Sequence, residues 1–259
     1  MIELTSAQNP RIKSWKMLNT DRAARLAQGL FPAEGEHMAQ EALKEGAAHA
    51  LLVRKGNEER YSGLIFEAEK QQLPVYLLST GAFSALCDAK TPQGIMALCR
   101  MEQIRQHFFR GVVVALDDVQ DPGNVGTILR TMDGAGFDRV ILSRGCADPF
   151  SPKALRASMG AVFRIPVQVT EDLPGQLESL KNQGYSVYAG SLSGQKFYDR
   201  PPDPEKICLI IGNEGNGISG EVLSRATHLL KLPMEGGAES LNAAVACAVM
   251  LYDILKNRL

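Results

Sequence analysis

The sequence of 259 residues predicts an α/β protein with a parallel sheet in its C-terminal domain and a smaller α/β domain before it. Residues 111–116, Gly-Val-Val-Val-Ala-Leu, form an uninterrupted apolar run that is typical of a strand buried on both faces. After this run, short apolar segments alternate with helical stretches, as in a sheet covered by helices. Because the charged stretch Met101–Arg110 precedes the run, we place the domains at 1–106 and 107–259.

The first domain alternates polar helical stretches with the apolar runs Ala50–Val53 and Val75–Leu78, which we predict to be strands. Its first 32 residues carry five basic side chains against two acidic ones, with Trp15 among them. Such a cluster is either a phosphate-tracking surface or the solvated face of a helix. The basic residues are Arg11, Lys13, Lys16, Arg22 and Arg25.

The second domain is predicted to continue with four further strands and four helices. The last helix has ten consecutive uncharged residues from Ala243 to Tyr252, so it must be buried in the domain or in a subunit interface. The predicted strands are Arg139–Leu142, Tyr185–Ala189, Ile207–Ile211 and His228–Leu232. Helical stretches are predicted around Gly126–Ala135, Pro152–Met159 and Leu173–Asn182, and the last helix at Leu241–Lys256.

Composition excludes several classes of function. The 28 basic and 29 acidic residues give a formal net charge of −1, so any contact with nucleic acid must come from a local patch. The five cysteines form no C-x-x-C pair, and the four histidines, His107 among them, show no metal-ligand spacing, so no disulfide framework or metal site is predicted. No window reaches the roughly 18 apolar residues of a membrane span, and we expect a cytoplasmic protein.

Ligands of parallel sheets bind beyond the carboxyl ends of the strands, and the loop after residue 116 is the first candidate. Asp121 can cap a helix whose first turn accommodates Pro122. Gly123, Gly126 and Arg130 then share one helix face, which would leave room for a ligand beside a cation. The alternative interpretation is that Arg130 forms an ion pair at the protein surface above a glycine-rich turn.

The loop after Ile211, Gly212-Asn-Glu-Gly-Asn-Gly-Ile-Ser219, places Asn213 and Glu214 at the end of a strand. Residues 215–220 formally match G-x-G-x-x-G, so a dinucleotide site of the Rossmann type is an alternative. The following helix of about eight residues is too short for the crossover that such a site requires, which argues against it.

A third loop, residues 232–242, immediately precedes the apolar helix. Ser240 is expected to be the N-cap of that helix, and capping alone could explain its presence. Asn242 is the one strongly polar side chain at an otherwise apolar helix start, where its amide requires a partner.

Together these loops resemble the three motifs of the SpoU (TrmH-like) branch of the SPOUT RNA methyltransferases. The matching segments are DPGNVGTILRTMDGAGF, IIGNEGNGIS and LPMEGGAESLNAAVACAVMLYDIL, and the resemblance covers essentially all of 110–259. The segments FPAEGEHMAQEAL and KTPQGIMAL also resemble the substrate-binding domain that precedes the catalytic domain in many members. Ala243-Ala244 stands where larger or hydroxylated residues are common in the family.

The resemblance implies transfer of a methyl group from S-adenosylmethionine to a ribose 2′-hydroxyl of ribosomal RNA or, less favoured, transfer RNA. It also implies a trefoil-knotted catalytic domain, a homodimer formed through that domain, and no metal. Arg130 would orient the target nucleotide rather than act as a base, because a guanidinium keeps its proton. By motif, the cofactor contacts are Gly212, Leu232 and Leu241, and the catalytic set is Asn124, Arg130, Glu214, Ser240 and Asn242. RNA would be bound by Arg11, Lys13, Lys16 and Arg130.

A protein that binds RNA through a degenerate fold of this family, without catalysis, is the alternative from another class. The presence of Arg130, Glu214, Ser240 and Asn242 argues against it.

Overall fold

The computed structural model describes residues 1–102 and 111–259. The predicted domain boundary between 106 and 107, His107 and most of the charged stretch 101–110 lie outside the described residues. The chain forms two compact units, each with its own sheet. The first comprises residues 1–102 together with Phe150–Arg164, and the second comprises 111–149 together with Ile165–Leu259.

The described residues form eleven strands and ten α-helices. The strands are β1 Ile2–Leu4, β2 Leu30–Glu34, β3 Ala48–Arg54, β4 Val75–Leu78, β5 Ile95–Arg100, β6 Val112–Asp117, β7 Arg139–Ser143, β8 Val167–Thr170, β9 Ser186–Lys196, β10 Ile207–Gly212 and β11 His228–Lys231. The helices are α1 Pro10–Thr20, α2 Arg22–Gln28, α3 Glu36–Lys44, α4 Ser62–Lys70, α5 Thr80–Ser84, α6 Pro122–Ala135, α7 Pro152–Ser158, α8 Leu173–Asn182, α9 Gly220–Leu223 and α10 Ala243–Lys256.

The sheet of the first unit has the order β1-β4-β3-β5-β2. Strands β1, β4 and β3 are parallel, whereas β5 runs antiparallel to both β3 and β2. Leu52, Leu78 and Leu98 are fully buried between this sheet and α1 and α5, where Ile12 and Phe83 join them. The predicted strands at Ala50–Val53 and Val75–Leu78 are confirmed, and the antiparallel member, β5, was not predicted.

The sheet of the second unit is parallel throughout, in the order β11-β9-β10-β6-β7-β8. Val112–Leu116 and Ile207–Leu209 are almost inaccessible to solvent, as expected for central strands covered on both faces. The predicted parallel, helix-covered sheet is confirmed. Helix α10 packs against α6 and β10, and Cys247 and Leu251 on its inner face are fully buried.

Three local predictions differ from the structure. Helix α10 begins at Ala243, and its N-cap is Asn242 rather than Ser240, because the Asn242 side chain accepts the hydrogen bonds from the backbone of Ala244 and Val245. The helix after the glycine-rich loop has only four residues, Gly220–Leu223, which removes the remaining basis for a Rossmann-type crossover. Strand β9 continues from the predicted Ala189 to Lys196.

Within the described part of the chain, no helix combines the length and apolar character that crossing a bilayer would demand.

Candidate active site

A cavity of about 530 Å³ opens in the second unit at the carboxyl ends of β10 and β11, beside the second half of β9. Its wall combines apolar side chains and glycines with several polar groups. A volume of this size and a mixed wall are typical of sites for small organic ligands. The lining residues include Gly190, Ile211, Gly212, Glu214, Gly217, Leu230, Leu232, Met234, Ser240, Leu241, Asn242 and Met250.

Gly212, the last residue of β10, gives this wall its shape. A Cβ atom at this position would lie 2.4 Å from the carbonyl carbon of Gly217 and the nitrogen of Ile218. The loop therefore folds back on the strand end only because residue 212 has no side chain. Asn213 and Gly217 close the turn with two reciprocal backbone hydrogen bonds of 3.0 and 2.9 Å.

Glu214 connects this loop to the one that follows β6. Its carboxylate accepts hydrogen bonds from the backbone of Gln120 and Asp121, both at 3.2 Å, and from the Asn124 amide nitrogen at 2.8 Å. Burial acts to raise the pKa of Glu214, but the hydrogen bonds from Asn124 and from backbone amides outweigh it and hold the pKa below its usual value. The carboxylate is therefore ionised at neutral pH and acts as an acceptor only.

Asn242 completes a chain of polar contacts across the three loops. Its amide nitrogen donates to the Asn124 side-chain oxygen at 3.0 Å, while its own oxygen caps α10. Glu214, Asn124 and Asn242 thus come together from positions that are far apart in sequence. Each amide is held by a partner on both sides, which fixes its orientation.

The start of α6 is built as the sequence predicts. Asp121 caps the helix by accepting hydrogen bonds from Gly123 and Asn124 at 2.6 and 3.1 Å, and Pro122 occupies the first turn. This cap places the Asn124 side chain within reach of Glu214.

Arg130 and Gly126 lie on α6, but Gly126 is buried whereas Arg130 is exposed. Neither of them, nor Gly123 or Asn124, lines the cavity. Among the residues that the structure describes, none forms a hydrogen bond or ion pair with the Arg130 guanidinium, so the alternative of a surface ion pair finds no partner there.

The structure therefore brings most of the candidate residues to one place. Gly212, Leu232, Leu241, Glu214, Ser240 and Asn242 all line the cavity, and Asn124 is hydrogen-bonded to two of them. The sequence reasoning missed Gly190–Leu192, Met234 and Met250. Gly190 directly follows the predicted strand Tyr185–Ala189, so the rule that located the other loops would have found it.

Arg11, Lys13 and Lys16 lie on α1 in the first unit, and all three are exposed. The Arg11 guanidinium donates to the Tyr76 hydroxyl at 3.3 Å and lies 5.7 Å from the centre of its ring. Trp15 meets the same ring edge-on, with 5.1 Å between the ring centres.

Comparison with known proteins assigns both parts of the chain. Residues 111–252 match the SpoU rRNA Methylase family, and residues 9–97 match the MRM3-like substrate binding domain. The chain belongs to the SpoU rRNA methylase family.

Relatives of this SpoU methylase match it along nearly its whole length. A 23S rRNA (guanosine(2553)-2′-O)-methyltransferase, RlmP, from Bacillus subtilis is 40% identical over 98% of this chain and 99% of its own. A putative RNA methyltransferase of the TrmH family from Porphyromonas gingivalis is 33% identical, with a TM-score of 0.83 over 95% of this chain and 97% of its own. An AdoMet-bound rRNA methyltransferase from Sinorhizobium meliloti is 30% identical, with a TM-score of 0.86 over 99% of this chain and 98% of its own.

These matches confirm the predicted family, the α/β fold with a substrate-binding domain before the catalytic one, and the enzyme class. The SpoU methylase is an RNA methyltransferase with S-adenosylmethionine as its cofactor. The predicted transfer to a ribose 2′-hydroxyl of ribosomal RNA agrees with the reaction in the name of RlmP.

The residues around the cavity fit this cofactor. Leu232, Leu241 and Met250 offer apolar contact to the flat base and the methylene groups of the cofactor, whereas Gly212 and Gly217 bring backbone groups close to a polar ligand.

Proposed function

We propose that the SpoU methylase transfers a methyl group from S-adenosylmethionine to the 2′-hydroxyl of a guanosine in 23S ribosomal RNA. The observation that carries the proposal is the chain of contacts Glu214–Asn124–Asn242 at the side of a cavity of about 530 Å³. The choice of a 23S guanosine follows the name of RlmP, with which the chain shares 40% of its residues. We expect the protein to act in the cytoplasm, where its substrate would be found.

The cofactor supplies an already activated methyl group, so the protein's main task is to align a ribose oxygen with it. Gly212, Leu232 and Leu241 would hold the cofactor at the cavity wall. Asn124, Ser240 and Asn242 would offer neutral hydrogen-bonding groups to the ribose. Glu214 fixes the Asn124 amide and is assigned to positioning, because its ionised carboxylate already accepts three hydrogen bonds.

Arg130 would bind the phosphate next to the target ribose and stabilise negative charge on the reacting oxygen. Its guanidinium is exposed and has no partner among the described residues, so it is available for a bidentate contact. The variant Arg130→Lys keeps the charge but loses the planar fork. We expect it to lower kcat/KM by about tenfold or more, as measured by tritium transfer from labelled cofactor, and wild-type turnover would exclude the bidentate role.

A second set of contacts to RNA is proposed for α1, where Arg11, Lys13 and Lys16 would track phosphates. Their common exposure on one helix supports this role. Replacing all three by glutamine should reduce the slope of log Kd against log salt concentration for 23S RNA by about 2 to 3. An unchanged slope would assign the three charges to a solvated helix face.

We further propose that residues 1–106 bind the RNA substrate and that residues 107–259 carry out the methyl transfer. The second part would contain a trefoil knot and would form a homodimer. Val245 and Tyr252 support the dimer, since they are 49 and 50% exposed along one side of an otherwise apolar helix. In sedimentation, Val245→Lys combined with Tyr252→Lys should convert a dimer into a monomer. In a single-molecule stretching experiment, the unfolded chain is pulled from both ends. If it is knotted, its final end-to-end length should be shorter than that of a fully extended chain, which is roughly 3.4 Å per residue.

The first experiment is calorimetric titration with S-adenosylmethionine, followed by transfer of labelled methyl groups to 23S RNA and mapping of the product. Binding together with label on a ribose 2′-oxygen is the expected result. A folded protein that binds no cofactor would overturn the proposal and favour a protein that only binds RNA.

A further inference from the structure

A second cavity, of about 230 Å³, lies within the first unit, and the proposed chemistry does not use it. Much of its lining comes from the two segments, residues 31–43 and 90–98, that resemble a substrate-binding domain. Its lining combines largely buried apolar side chains with polar side chains, several of which are exposed. The apolar residues are Pro32, Met38, Pro152 and Leu155, and the polar ones include Asn19, Thr91, Gln93 and Arg156.

The loop over this cavity is held in place by bonds to its backbone. The Glu34 carboxylate, at the end of β2, accepts hydrogen bonds from the backbone of Asp88 and Ala89 at 2.9 and 3.2 Å. Arg156 forms an ion pair of 2.7 Å with the Asp88 carboxylate. The loop is therefore fixed from a strand end and from α7, which is how a preformed binding site is built.

The far end of the same loop is fixed just as firmly. The Tyr61 hydroxyl and the Asn57 amide donate to the Gln93 carbonyl oxygen at 2.8 and 3.2 Å. The adjoining Gly94 has φ +90°, and a Cβ there would lie 2.6 Å from the Asn57 amide nitrogen, so this turn requires glycine.

The rim offers hydrogen-bond donors whose orientation is set by other contacts. The Gln93 side-chain oxygen accepts from the backbone of Glu36 at 2.8 Å, which leaves its NH₂ group with no acceptor among the described residues. Arg156 uses one guanidinium nitrogen for Asp88, and its side chain lines the cavity and is 54% exposed. A flat ligand with acceptors on its edge would satisfy these donors while its faces contact the apolar walls.

We infer that this cavity binds an unstacked nucleobase of the RNA substrate, a contact separate from the methylated ribose. Single-stranded bases, turned out of their stack, are the elements of RNA that proteins read in pockets with an apolar face and polar edges. The inference rests on the proposed function, because it takes the substrate to be RNA.

The test uses the full-length protein and fills the cavity from its mouth. Ala89 is exposed and lines the cavity, and its contact with Glu34 uses only backbone, so Ala89→Trp should fold normally. Thr91→Trp, at another exposed lining position, is a second variant in case the first is unstable. Ala27→Trp is the matched control, because Ala27 is exposed on α2 and does not line the cavity.

Filter binding with transcribed 23S RNA across several salt concentrations gives the readout. We expect Ala89→Trp to raise Kd at least about tenfold at every salt concentration, with the same salt slope as wild type, and to raise KM while kcat at saturating RNA is retained. Ala27→Trp should match wild type. Thermal unfolding of each variant verifies the fold.

An unchanged Kd for both lining variants would overturn the inference. A raised Kd with a shallower salt slope would also overturn it, since the cavity would then accommodate a phosphate. Wild-type methyl transfer to the same RNA, measured alongside, tests the proposed function separately. If wild type methylates the RNA and neither lining variant binds RNA more weakly, the nucleobase site is excluded and the proposed function is retained.

Discussion

Replacing Glu214 by glutamine tests whether the loops of the active site are held by an ionised carboxylate. Two of the three hydrogen bonds go to one carboxylate oxygen, from Asp121 and Asn124, and the third goes to the other oxygen, from Gln120. A glutamine can keep the first oxygen but must turn its NH₂ group towards the backbone N–H of Gln120. The variant therefore loses at least one hydrogen bond to a charged acceptor and gains a repulsive contact between two donors.

The magnitude follows from the bond that is lost. A hydrogen bond to a charged group contributes about 1.5–3 kcal/mol, and the exposure of Glu214 reduces this to about 1–2 kcal/mol. If this energy positions Asn124 for the transition state, kcat should fall by about 5- to 30-fold, at roughly 1.4 kcal/mol for each factor of ten.

Single-turnover methyl transfer with saturating cofactor and RNA measures this change. Glu239→Gln is the matched control, because Glu239 lines the same cavity and has no hydrogen bond to another described residue. A Glu214→Gln enzyme with wild-type kcat would refute the positioning role. Equal losses in both variants would point to the charge of the cavity instead.

The same variant has a defined pH dependence. Since the pKa of Glu214 is lowered from its ordinary 4.5 in the folded protein, its ionised form stabilises the fold at pH values above 4.5. This contribution is lost as the pH falls through the folded-state pKa. The difference in unfolding free energy between wild type and Glu214→Gln should therefore be constant near pH 7 and disappear in acid, and a difference that persists in acid would contradict the assigned shift.

Two further predictions concern the cavity wall and the core. Gly212→Ala, which overlaps the backbone of the folded-back loop, should weaken cofactor binding at least about tenfold by calorimetry, whereas Gly215→Ala, with its nearest neighbour at 3.6 Å, should bind like wild type. Arg200→Met leaves the Asp203 carboxylate, which is 4% exposed, without its ion-pair partner, and should lower the unfolding free energy by about 3–5 kcal/mol. Arg144→Met breaks an ion pair whose side chains are 76 and 74% exposed, so it should cost less than about 1 kcal/mol, and similar losses in the two arginine variants would contradict this reasoning.

The parts of the fold that the sequence predicts are those whose physical signal is local. Strands β6 and β10 are buried on both faces, and their continuous apolar runs reveal them. Strand β8, Val-Gln-Val-Thr, lies at the sheet edge with partly exposed residues and carries no such run, so it was missed. The polar second half of β9 was missed for the same reason.

The N-cap of α10 shows a different limit. Ser240 and Asn242 are both good caps, and propensity alone does not separate them. Asn242 is the observed cap, and its amide also reaches Asn124, a residue 118 positions earlier in the chain. A contact over that distance leaves no trace in the local pattern. The resemblance to the SpoU family places Asn124 and Asn242 in one set, whereas the local pattern predicts the cap two residues too early.

The geometry of the loop that follows β6 is set by residues outside that loop. The backbone of Asp118 is in the left-handed region, with φ 55°, a conformation that costs about 1–2 kcal/mol for a residue with a side chain. Its carbonyl oxygen accepts a hydrogen bond from the Asn213 amide at 2.8 Å, and the neighbouring buried Asp117 accepts one from the backbone of Ser219 at 2.7 Å. The loop after β10 thus holds the end of β6 at two points as well as through Glu214. A substitution of Asn213 should therefore displace Asn124, although the two residues are not in contact. For this reason the sequence of the loop after β6 does not by itself reveal which residues position Asn124.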